Sequence, residues 1–172
     1  MTPMRRPAGP PPTWKRRDEP PAGPMIEVEI EDAAWAVVPE AEGLAARAAA
    51  AALGDTAGDL VVLLTDDQAV QALNGRFRDR DRPTNVLSFP APESARPHLG
   101  DVVLAFGVCD EEALAQGKPL ADHLSHLVVH GVLHVLGRDH EDEAQAQAME
   151  AEERAILAGL GVPDPYGADH DR

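Results

Sequence analysis

The sequence predicts a single domain of the α+β or α/β class, with strands and helices interleaved around one mixed sheet. Three observations carry this. From Met25 onward, short β-prone runs alternate with helical patterns. The 172 residues suffice for one core and fall short of two ordinary domains. Residues 120–136 are apolar on nearly every face, so a helix there must be buried.

Each element has its own signal. Ile26, Val28 and Ile30 alternate with Glu27, Glu29 and Glu31, the pattern of a half-buried strand. The alanine-rich residues 39–53 predict a helix that Gly54 can end. Residues 59–65, DLVVLLT, read as a buried strand. Thr65 followed by Gln68 is a capping-box signal, which places a helix over 66–77. Residues 86–89 and 102–106 are short β-prone runs, and 110–116 a short helix. Pro119 suits the first turn of the apolar helix over 120–136. Residues 142–160 form a last amphipathic helix, stopped by Gly161 and Pro163.

Composition excludes several functions. One cysteine, Cys109, rules out a disulfide framework and a cysteine-rich zinc finger. No run approaches the ~18 apolar residues of a membrane span. Three Phe, one Tyr and two Trp are too few for a stack of base-binding platforms. The net charge of −15 repels nucleic acid on average. Residues 1–24 hold eight prolines and five basic side chains against two acidic ones, with almost no aliphatics. They read as a disordered basic tail ahead of a domain over 25–165, with 166–172 as a C-terminal tail. One local positive run stands against the acidic background: Arg76, Arg78, Arg80 and Arg82 alternate with Phe77, Asp79 and Asp81. Arginine forks bind phosphate in bidentate fashion.

The chemistry concentrates in His130-Gly131-Val132-Leu133-His134-Val135-Leu136-Gly137-Arg138-Asp139-His140. Four residues apart on a helix, His130 and His134 stack on one face about 6 Å apart along the axis. Gly137 offers a left-handed stop that turns the chain back, so His140 can approach from another side. Three neutral imidazoles and an open position make the ligand set of a catalytic zinc ion, one per chain, though another divalent metal would also fit. His126 and Asp139 are candidates for supporting these ligands from behind. His123 lies on the same side of the helix; His98, His170 and Cys109 read as incidental. The spacing equals that of the metzincin protease signature, but Gly131 stands where those enzymes carry their glutamate base. A metallopeptidase or other metallohydrolase is one alternative, and a non-catalytic assembly factor with structural zinc is another.

The histidine segment follows Phe77-Arg78, Pro83-Thr84-Asn85-Val86-Leu87-Ser88-Phe89-Pro90 and Leu99-Gly100-Asp101 in order. Together these motifs resemble the YbeY family of bacterial rRNA-maturation endoribonucleases, from about Met25 to Gly161. The resemblance implies an α+β fold around zinc: a single domain with a mixed, mostly parallel sheet of about four strands packed with helices, and the metal on a buried central helix. It implies cleavage of single-stranded RNA in 16S rRNA 3′-end maturation and ribosome quality control, in the cytoplasm. Implied partners are the 16S precursor and the ribosome or small-subunit proteins, with an Era-type GTPase among them, and no membrane. By position, His130, His134 and His140 look like the metal ligands and Arg78 like the functional arginine of the family. Arg138 departs from the aromatic that the family usually carries there, adding positive charge beside the site.

Overall fold

The computed structural model describes residues 25–78 and 84–166. The segment 1–24, the stretch 79–83 with Arg80 and Arg82, and 167–172 with His170 lie outside the described residues.

Four strands form one sheet: β1 (Met25–Ile30), β2 (Asp59–Thr65), β3 (Val86–Pro90) and β4 (His98–Ala105). Their order is β1-β2-β4-β3. β1 and β4 both run parallel to β2, and only β3 is antiparallel, against β4. Among the described residues five α-helices accompany them: α1 (Ala41–Leu53), α2 (Asp67–Arg78), α3 (Phe106–Gln116), α4 (Leu120–Val135) and α5 (Glu143–Gly159). This is the single α+β domain with a mostly parallel four-stranded sheet that the sequence led us to expect.

Side-chain alternation along the central strands sorts the layers. Leu60, Val62 and Leu64 of β2 and Val102 and Leu104 of β4 enter the main core with α1, α4 and α5. The residues between them, Leu63 and Val103, join a smaller cluster with Val70 of α2 and Leu87 of β3. Parallel strands covered on both faces read as near-continuous apolar runs, which is why DLVVLLT shows no alternation.

The structure moves several boundaries. The cap of α2 is Asp66, whose carboxylate accepts from the Ala69 N–H at 2.8 Å, and not the expected Thr65. Thr65 is buried at the end of β2, where its carbonyl accepts from the Trp35 indole N–H at 3.0 Å. β4 begins at His98, four residues before the expected 102, because Asp59 to Thr65 pair with it along its whole length. Phe106 opens α3 instead of ending β4, and its ring packs edge-on against Trp35 at 5.2 Å.

Candidate metal centre

α4 supplies two histidines because it is pressed into the fold at one level. Gly131 makes this possible. A Cβ there would lie 2.6 Å from Val102 Cγ1 of the sheet, so only glycine lets the helix come this close. The Ser88 hydroxyl then donates to the Gly131 carbonyl at 2.8 Å, tying β3 to the helix. Asn85 braces the start of β3, accepting from the Val86 N–H at 2.7 Å and donating to Glu112 at 3.0 Å. The motif ahead of the histidines thus builds the wall opposite them.

After Leu136 the chain reverses at Gly137, with φ 94°, and the Arg138 N–H returns to the Leu133 carbonyl at 2.9 Å. This brings His140 over the helix. Its ring centroid lies 4.9 Å from that of His134 and 5.8 Å from that of His130. One ring nitrogen from each of the three lies within 4.8 Å of the others, a group that could hold a metal ion.

The hydrogen bonds settle which nitrogens face inward. His130 Nδ1–H donates to the Glu153 carboxylate at 2.5 Å, and His134 Nδ1–H donates to the Arg138 carbonyl at 3.0 Å. Neither acceptor carries a proton to give, so in the neutral rings both Nε2 atoms keep their lone pairs. These atoms are 3.1 Å apart. Two lone pairs so close repel unless a cation lies between them, and the donor set therefore fits a metal ion. His134 is kept neutral: burial, then the neighbouring His130 and His140, lower its pKa from the ordinary value.

A cavity of about 710 Å³ opens beside the three imidazoles. β3 forms one wall, and Arg138, Asp139 and Glu141 lie at the rim. The Arg138 guanidinium is engaged by Glu152 at 3.1 and 3.2 Å, so the charge added at this position is largely paired.

The other sequence-derived candidates divide. Asp139 supports His140 through the backbone, accepting from its N–H at 2.8 Å. His126 sits one turn before His130 with its Nε2 3.3 Å from the Tyr166 hydroxyl. Arg78 is the last residue of α2. Arg76 is exposed, its guanidinium 5.9 Å from the Phe77 ring centre.

Sequence reasoning missed Glu153 and Tyr166. The residue signal was there for Glu153, since it stands midway in the buried stripe Met149, Glu153, Leu157 of α5, where the period asks for an apolar side chain. Tyr166 is the first residue of the expected C-terminal tail, and its hydroxyl donates to Glu153 at 2.5 Å.

Comparison with known proteins supplies the family. The family described as Endoribonuclease YbeY matches residues 29–161. The chain belongs to that family. A relative from Azorhizobium caulinodans, named Endoribonuclease YbeY, is 52% identical over 151 residues, covering 82% of this chain and 95% of the relative. One of the same name from Paramagnetospirillum magneticum is 51% identical over 156 residues, covering 83% and 95%. A Thermotoga maritima protein solved in solution shares the fold at 23% identity, with a TM-score of 0.51 over 79% of this chain and 91% of that one. The family is one of RNA-cleaving enzymes, and the glycine at 131 accords with that departure from the protease signature. Any side chain there would enter the sheet, towards Val102, Ser88 and Val86.

Proposed function

We propose that this protein is a zinc-dependent, single-strand-specific endoribonuclease that acts in 16S rRNA 3′-end maturation and ribosome quality control. One observation carries the reading: three imidazoles converge beside an open cleft, two of them with their orientation fixed by acceptors on Nδ1. Its relatives named Endoribonuclease YbeY support the RNA substrate. A structural zinc would close its coordination with protein ligands, whereas the cleft leaves room on one side of the histidines.

In this reading His130, His134 and His140 hold the ion. When bound, zinc supplies a Lewis acid for a phosphate oxygen and for water. The chain's own residues do the rest. Glu153 and the Arg138 carbonyl aim the imidazoles, β3 lines the path of the strand, and Arg78 stabilises the charge that gathers on the phosphate. The acidic surface makes non-specific RNA binding weak. Specificity therefore comes from a ribosomal partner, either small-subunit proteins or an Era-type GTPase, and the work is cytoplasmic.

The test has two arms. Metal content measured by mass spectrometry should be about one equivalent per chain, as a single three-histidine site implies, and should vanish when the three histidines become alanine. Arg78→Glu should reduce cleavage of single-stranded RNA by at least about 10²–10³, the usual cost of losing one charge-stabilising donor, while Arg76→Glu has a mild effect. Equal, mild defects in both would remove Arg78 from the mechanism, and unchanged metal content in the triple variant would remove the site.

A further inference from the structure

We propose that Glu153 and Tyr166 are positioning residues for the metal centre, which fix the tautomer and direction of the His130 imidazole and strengthen it as a ligand. The inference rests on the metal reading given above.

Glu153 is fully buried in an otherwise apolar stripe. A buried carboxylate is costly unless both oxygens are satisfied. Here both are. Oε1 accepts from His130 Nδ1 and Oε2 from the Tyr166 hydroxyl, each at 2.5 Å, the short end for charge-assisted bonds. Because that hydroxyl gives its proton to Glu153, its oxygen is left to accept from His126 Nε2–H at 3.3 Å. The donors thus all point towards one carboxylate, and that carboxylate points at one metal ligand.

Tyr166 is itself held in place. Its N–H donates to Asp164 at 2.8 Å, Arg154 pairs with Asp164 at 3.2 Å, and the Arg154 guanidinium lies 5.2 Å over the tyrosine ring. Two donors aimed at the two oxygens of Glu153 are the partners a carboxylate anion takes. If only packing were needed, an apolar side chain matching Met149 and Leu157 would serve the stripe as well or better. Of the groups the charge meets, His130 is the one that belongs to the histidine cluster. A carboxylate on the far nitrogen of a ligating histidine raises its basicity and holds the ring square to the ion.

The experiment uses the full chain, zinc as the probe, and two readouts. In metal-free protein, ¹⁵N spectra of the His130 ring should show the Nδ1–H tautomer. Zinc affinity, measured by competition with a chelator, should weaken about 10–100-fold in Glu153→Gln, which keeps the shape and loses the charge. The thermal stability of the metal-free variant should stay near wild type. Tyr166→Phe should shift affinity and the His130 resonances in the same direction by less. Wild-type zinc affinity retained in a folded Glu153→Gln, or an Nε2–H tautomer in the wild type, would overturn the proposal. If Glu153→Gln does not fold, Tyr166→Phe decides, and unchanged affinity with unchanged His130 resonances overturns it. A wild-type chain that binds no zinc while showing Nδ1–H would instead overturn the metal reading.

Discussion

The two halves of α4 carry four histidines on one side of the helix and use them oppositely. In the first half, His123 and His126 engage through Nε2, with Glu112 at 2.9 Å and Tyr166 at 3.3 Å. Their Nδ1 atoms are buried and have no partner among the described residues. In the second half, His130 and His134 engage through Nδ1 and leave Nε2 facing a common centre. The ring spacings differ accordingly: 6.2 and 6.3 Å from His123 through His126 to His130, then 4.6 Å between His130 and His134. Helical spacing alone therefore does not gather a group that could hold a metal ion. What does is an acceptor on the far nitrogen and a turn that returns a third imidazole.

The strongest way to break this comparison is to exchange the roles by mutation. His134→Ala should lose the metal and lower RNA cleavage by more than the 10–100-fold typical of an outer partner. His123→Ala should keep metal content and cleavage, and lose about 1–3 kcal/mol of stability measured by denaturant, the cost of a broken buried hydrogen bond. Metal loss in His123→Ala would erase the distinction.

Acid sharpens the comparison further. Burial pushes His126 down from 6.5 to about 4. Between these values the unfolded chain binds the proton and the folded one refuses it, so stability rises with pH through this window. In metal-free protein, stability from this source is complete above about pH 6.5 and falls towards pH 4, by up to about 3 kcal/mol. His126→Gln should flatten that part of the profile, as followed by thermal melts; an unaltered slope would assign it to other groups.

The smallest expected effect concerns the pin between the second half of the helix and the sheet. Gly131→Ala gains up to about 1 kcal/mol in helix propensity and loses about 1–3 kcal/mol to overpacking against Val102. The net change should be destabilising. Gly159→Ala on α5, where an added Cβ meets nothing within 4 Å, should be neutral or stabilising. If urea titrations give both variants the same shift, close approach at Gly131 is not what sets the helix height.

These contrasts mark what was legible beforehand. The three converging histidines were, because helical periodicity and a turn glycine are local rules written into eleven consecutive residues. The partners were not. Glu153 and Tyr166 lie 23 and 36 residues beyond His130 and reach it only through the packing of α5 on α4. The early start of α3 at Phe106 has the same cause, since nothing local tells that its ring will pack against Trp35. The cap of α2 shows a different limit. Thr65 and Asp66 are both good caps, and burial of Thr65 in the strand decides between them.

The two edges of the sheet are also unlike, and this bears on how the protein behaves in bulk. β3 opens on the cleft, whereas among the described residues β1 ends the sheet, with exposed Glu27, Glu29 and Glu31 in and just after the strand. Unpaired strand edges invite a second chain, and a row of like charges is what keeps one away. Near the isoelectric point of about 4.7 the chain loses its overall repulsion. Turbidity on acidification should therefore begin while the fold is still intact, and lysines at positions 27 and 29 should restore clarity at that pH.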